Sequence, residues 1–265
     1  MNFSKKQNLF IILSAIFLTN ALIAEVIGVK IFSLFETFGG EHQAIEIASF
    51  LTLDFSLTAG VVIWPVVFIT TDIINEYFGK QGVRKVSYIA VGCISFAFIA
   101  IYIVTLLPPA PFWTDINSTD ANGNPFDINY AFSTLFRQGM GIIVGSLVAF
   151  LIGQLLDVFI FQKLRKLTGP KMIWLRATGS TLVSQLVDSF VVLTIAFYVL
   201  APADKRWALD QVFSVGVTNY VYKFAVAILL TPLIYLGHYL IDGYLGKELS
   251  EEMTNQATEG SEGFF

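Results

Sequence analysis

Charge is what this sequence has least of. Asp, Glu, Lys and Arg together make up 14% of its 265 residues, against about a quarter in ordinary soluble domains. With 55% hydrophobic residues and a mean hydropathy of +0.69, that scarcity excludes a soluble domain. Cysteine is nearly absent as well. Cys93 stands alone inside an apolar run, so no internal disulfide can form and the thiol reads as packing. No Walker-type phosphate loop is present, so any use of ATP needs other chains. The first apolar run follows Lys5 and Lys6, is too long for a signal peptide and lacks an A-x-A-like cleavage site, so it is expected to stay as a membrane helix. The net charge of −4 owes much to the C-terminal Glu248, Glu251, Glu252, Glu259 and Glu262 and gives no sign of a nucleic-acid partner.

What is abundant is apolar sequence in long stretches. A membrane-spanning helix needs about 20 mostly apolar residues. Six windows meet that length, at about 8–31, 57–78, 84–107, 138–162, 173–200 and 210–241. They predict an all-α membrane protein: a six-helix transmembrane bundle forming a single polytopic domain over 8–241. With the N-terminus inside, 11 basic residues fall on cytoplasmic segments (Lys5, Lys6, Lys80, Arg84, Lys85, Lys163, Arg165, Lys166, Lys171, Arg176, Lys247). Four fall outside (Lys30, Arg137, Lys205, Arg206), and Lys223 is intramembrane. The excess of positive charge places both termini in the cytoplasm. Residues 242–265 read as a cytoplasmic, mostly disordered acidic tail.

Two outer segments separate the first spans. Segment 32–56 carries Glu36, Glu41, His42, Glu46 and Asp54 around an apolar patch at 44–51, which suggests a short helix along the interface. Segment 108–136 holds three prolines, the sequon-like Asn117-Ser118-Thr119, and an Asp120 to Asn124 run that loosely resembles a calcium loop with its glycine misplaced. Both features read as solvated turns.

The informative residues are the ionisable ones inside the windows: Asp72, Glu76, Asp157, Asp188 and Lys223. Each costs about 2.5–3.5 kcal/mol near the bilayer centre if it faces lipid. They must point inward and meet one another or a solute. The fourth and fifth windows each carry Gln-Leu-x-Asp-x-Phe, as Gln154 to Phe159 and Gln185 to Phe190, which fits an internal duplication. Gln and Asp three apart share one helix face. Asn20, Asn75, Asn219 and Tyr220 add further polar groups, and Pro65 is expected to loosen the second helix. Plainer readings stand beside these. The amides can be interhelical glue worth about 0.6 kcal/mol each. Lys223 can pair structurally with Asp188 or Asp157. Asp72 and Glu76 can snorkel to the inner surface, and Trp64, Phe68, Phe190, Tyr220 and Tyr222 can be packing. Glue alone does not account for four buried carboxylates.

Taken together, Trp64-Pro65 through Phe68, Asp72, Asn75, Glu76 and Gly79, Gly153-Gln154 through Asp157 and Phe159, Phe161 to Arg165, Arg176 through Ser180, Gln185 and Asp188, and Tyr220 through Lys223 and Pro232 resemble the queuosine-precursor transporter family, also called the vitamin uptake transporter family. The resemblance covers residues 10–240. It implies a non-enzymatic importer of a 7-deazaguanine precursor (preQ0, preQ1 or queuine) in the cell (inner) membrane. It also implies likeness to substrate-binding subunits of ATP-driven vitamin importers. The expected binding set is Asn20, Phe68, Asp72, Asn75, Glu76, Gln154, Asp157, Gln185, Asp188, Asn219, Tyr220 and Lys223. Within it Asp188, Gln185, Asn219 and Lys223 hold the base, Asp72 and Glu76 line the inner exit, and Phe68 or Tyr220 stacks. No cofactor or metal is expected. A homodimer and an ATPase partner both stay open, as do proton symport and facilitated diffusion. The alternatives are a carrier of another planar vitamin or purine, an intramembrane enzyme, and a channel.

Overall fold

The computed structural model describes residues 4–41, 43–48, 51–137, 140–168, 172–201 and 203–259. His42, Lys171, Glu262 and the first two residues of the fourth window, 138–139, lie outside them. Five helices are long and apolar enough to cross a membrane among the described residues. They are α1 (Lys5–Ile27), α3 (Trp64–Thr105), α6 (Met140–Thr168), α7 (Ile173–Leu193, continued as a π-helix over Thr194–Val199) and α8 (Leu209–Leu245). Short helices α2 (Leu34–Thr37), α4 (Pro111–Ile116) and α5 (Ile128–Arg137) lie in the connections, and α9 (Lys247–Glu259) closes the chain.

The second and third windows are merged in α3, whose 42 residues would reach about 63 Å if straight, twice the apolar thickness of a bilayer. The helix breaks at Gly79, where φ is 63° and ψ is −167°, a conformation essentially reserved for glycine. The start of α3 then packs on the N-terminal half of α6, and its end meets the last residue of α5, just before α6. The Trp64 ring lies 6.0 Å from that of Phe150, and Arg137, three residues before α6, donates to Thr105 Oγ1 at 2.8 Å. The second leg buries Val83, Val86, Ala90, Ile94 and Phe98, a stripe at three- and four-residue spacing. They share a core with Leu9, Leu13, Phe17 and Ala21 of α1. Ser4 starts α1 with a capping box closed by Gln7.

Three expectations are corrected. Pro65 does not loosen the middle of a helix, because α3 begins at Trp64 and proline occupies its first turn, where the missing N–H is not needed. Segment 32–56 holds only the one-turn helix α2, and its described apolar patch is strand rather than an interfacial helix. It forms two antiparallel hairpin pairs, β1 (Ile31–Ser33) with β4 (Ser56–Thr58) and β2 (Ala44–Ala48) with β3 (Leu51–Asp54). The alternation of Ile45, Glu46 and Ile47 is a strand period that outweighs bulk hydrophobicity. The acidic tail is not mostly disordered, since 247–259 is helical. Leu249, Met253 and Ala257 recur every four residues, and Met253 is fully buried in the core shared with α1 and α3. Lys6 pairs with Glu252 at 2.9 Å, holding that exposed carboxyl below its usual range through the hydrogen bond and charge of the lysine.

The Asp120 region is a turn, as expected: Asp120 Oδ1 accepts backbone N–H groups from Asn122 and Asn124, with Gly123 at φ 82°.

At Gly79 an added Cβ would sit 3.0 Å from the Ala257 carbonyl oxygen of α9. Gly79→Ala is expected to cost about 1–3 kcal/mol, read as a lower melting temperature of the detergent-solubilised protein. An unchanged melting temperature would show that the break is not strained.

Candidate functional site: a polar cavity among α1, α3, α6, α7 and α8

Helices α6 and α7 form an antiparallel hairpin in constant register. A Cβ on Gly153 would lie 3.6 Å from Asp188, and one on Gly145 would lie 3.2 Å from the Ala196 backbone nitrogen. The two Gln-Leu-x-Asp elements therefore face each other. Asp157 Oδ1 accepts the hydroxyls of Ser184 and Thr181 at 3.3 and 3.4 Å.

Beside this seam lies a cavity of about 360 Å³, within the ~300–1,000 Å³ typical of small-molecule sites. It reaches from the β1–β4 hairpin and the C-terminal end of α1 down to Gln154 and Asp157. Seven residues expected from the sequence line it: Phe68, Gln154, Asp157, Gln185, Asp188, Asn219 and Lys223. Gln154 donates to Thr71 Oγ1 at 3.2 Å. Lys223 Nζ lies 2.5 Å from Asp188 Oδ2, so Asp188 rather than Asp157 is its partner. Both side chains keep partial exposure, 16% for the lysine and 20% for the aspartate. The walls are aromatic. Trp64 stacks on Phe68 at 6.0 Å and 22°, and Trp207 stacks on Phe197 at 4.0 Å and 14°. Phe197 belongs to the π-helical segment, a distortion frequent at functional sites.

The other five expected residues lie elsewhere. Asn20 donates to the Ile16 carbonyl of its own helix. Tyr220 packs towards Phe224 and does not line the cavity, whereas Phe68 lines it beside Trp64. Asp72 is 3% exposed beneath the cavity, and its Oδ1 has no hydrogen-bond partner. Asn75 and Glu76 belong to a separate buried cluster. Glu76 Oε1 meets Arg176 at 2.6 Å and Arg165 at 3.4 Å. Gln162 donates to Asn75 Oδ1 at 2.7 Å, and Arg165 donates to the Thr254 carbonyl of α9. Glu76 thus does not snorkel. Arg165 and Arg176, counted as surface cations from the sequence, are 4% and 1% exposed.

The expected binding set left out Glu25, Thr71, Thr181 and Ser184, which line the cavity. Glu25 lines the cavity and accepts the Ser146 hydroxyl at 2.5 Å. Its signal was present, a carboxylate near the end of an apolar helix.

The two acidic clusters separate by experiment. Glu76→Gln removes the carboxylate shared by two buried guanidinium groups and is expected to destabilise the protein by about 3–5 kcal/mol. Asp188→Asn, in the half-open cavity, is expected to leave the melting temperature within a few degrees of wild type. Equal melting temperatures for wild type and Glu76→Gln would remove the structural role of that cluster.

The chain is similar to known proteins. A family model described as "Putative vitamin uptake transporter" matches residues 58–237. The chain is 32% identical to "Probable queuosine precursor transporter" of Bacillus subtilis (strain 168) over 190 residues, 71% of this chain and 75% of that protein. It is 30% identical over 181 residues to the protein of the same name from Haemophilus influenzae, covering 67% of each. It is 25% identical over 191 residues to "Queuosine precursor transporter" of Escherichia coli (strain K12), covering 66% and 70%. No solved structure matches the chain.

Proposed function

The chain belongs to the vitamin uptake transporter family, and we propose that it is a multi-pass membrane protein that imports a 7-deazaguanine precursor of queuosine. It is a transporter rather than an enzyme. The observation that carries the substrate class is a cavity with planar aromatic walls and a polar end of amides and carboxylates.

A guanine-like base presents two adjacent donors, the ring N1–H and the exocyclic amine. A carboxylate offers two acceptors at matching spacing. In this reading Asp188 takes that edge, held in place by Lys223, while Gln185 and Asn219 meet the carbonyl and remaining ring nitrogens. Phe68, already stacked with Trp64, supports the base face. Gln154 and Asp157 close the inner end. Glu76, locked by Arg165 and Arg176, seals the path below rather than contacting the solute.

The two legs of α3 on either side of Gly79 cross separately in this reading, which gives six crossings with both termini on one side. The positive-inside balance makes that side cytoplasmic. The cavity then opens outward and is closed inward. Neither a second copy of the chain nor an ATPase partner enters this reading.

The test is uptake of radiolabelled preQ0, preQ1, queuine and guanine in cells lacking their own carrier. The queuosine precursors are expected to enter. Asp188→Asn is expected to lower uptake about tenfold or more at unchanged protein level, the weight of one hydrogen bond to a charged group. No uptake of any precursor by wild type would overturn the substrate assignment, and normal uptake by Asp188→Asn would remove Asp188 from the site.

A further inference from the structure

The buried charges of the bundle do not balance among the described residues. Five buried or half-buried carboxylates lie within the membrane helices: Glu25, Asp72, Glu76, Asp157 and Asp188. Three cations accompany them, Arg165, Arg176 and Lys223. Lys223 is taken by Asp188, and both arginines by Glu76. The acids left without a cation include Asp72 on α3 and Asp157 on α6, two helices joined beside these residues by the Gln154–Thr71 hydrogen bond. These two acids are 3% and 5% exposed, and each keeps one carboxylate oxygen, Asp72 Oδ1 and Asp157 Oδ2, with no hydrogen-bond partner. A buried unpaired carboxylate is among the most expensive groups a protein can hold, and two close together cannot both stay ionised. The hydroxyls of Thr181 and Ser184 satisfy Asp157 Oδ1 only.

Their location adds function to this imbalance. Asp157 lines the inner end of the cavity. Asp72 sits one residue from Thr71, to which cavity-lining Gln154 donates, and four residues before Glu76, whose arginine cluster holds α3, α6 and α7 together and reaches α9. The pair stands between the solute space and the inner closure.

We propose that Asp72 and Asp157 form a proton-binding site whose proton is carried inward together with the solute, making the protein a proton symporter. Outward-facing, the pair takes a proton through the cavity. When the inner cluster opens, the proton passes to the cytoplasm with the solute. Of the charged and titratable groups nearby, Glu76 lies four residues on along α3 and is tied to Arg165 of α6 and Arg176 of α7, while Asp188 of α7, Lys223 of α8 and Glu25 of α1 line the same cavity as Asp157. The coupling half of this inference rests on the transport reading above, and the proton half does not.

Full-length protein in proteoliposomes, with the membrane potential clamped, separates the outcomes. With the outside one pH unit more acidic, one-to-one symport of a neutral base is expected to give about tenfold accumulation of radiolabelled preQ0. Asp72→Asn, outside the cavity lining, is expected to lose that accumulation while keeping solute counterflow across equal pH, and Asp157→Asn is expected to lose the accumulation whatever its counterflow. Wild-type accumulation that ignores the proton gradient or follows sodium instead would overturn the proposal, as would both variants accumulating like wild type. Absence of preQ0, preQ1 and queuine counterflow in wild type would instead defeat the substrate assignment. Infrared difference spectra then still decide the proton site. A neutral carboxylic acid band at pH 7, lost in Asp72→Asn or Asp157→Asn, supports it. Its absence from correctly folded wild type would overturn it.

Discussion

Hydrocarbon cannot solvate charge, and nearly every distinctive feature of this protein answers to that constraint. The cost of a lone ionised side chain among lipid tails forces Glu76 towards Arg165 and Arg176 and Asp188 towards Lys223. These contacts lie between helices, so they also fix which helices are neighbours. The Glu76 cluster joins α3, α6 and α7 and, through Thr254, engages α9. The Asp188–Lys223 pair joins α7 to α8. A cavity with aromatic walls and a polar end is left beside these ties.

The two clusters differ in kind although they share residue types. Around Glu76 the partners are protein groups, the exposure is a few per cent, and α9 lies against the outside. Around Asp188 the side chains stay partly open and the neighbours are aromatic rings and amides. The first geometry suits closure and the second suits recognition. A carrier needs both, on opposite sides of the bound solute.

Much of the fold was legible in the sequence. The ends of α6, α7 and α8 fall close to the apolar windows that predicted them, because long apolar runs leave helices few alternatives. The facing Gln154/Asp157 and Gln185/Asp188 elements were legible from their spacing. The break at Gly79 was not, since a glycine between two apolar windows reads only as a connection. The β-hairpins at 31–58 were hidden by their brevity, and α9 by an apolar stripe of three residues in an acidic background. In the site, the sequence could not separate Glu76 from Asp188. Both are acids in apolar helices, and the distinction lies with Arg165 and Arg176, which by position read as cations at the cytoplasmic surface. Burial of those arginines is a tertiary fact.

The central claim is that a planar base sits between the Trp64–Phe68 wall and the amide-carboxylate end of one cavity. An experimental structure determined with preQ1 bound tests it most directly. The account predicts density for the base in that space, its donor edge against Asp188 and its face on Phe68. A base bound at the outer hairpins or between helices elsewhere, with this cavity collapsed, would contradict it.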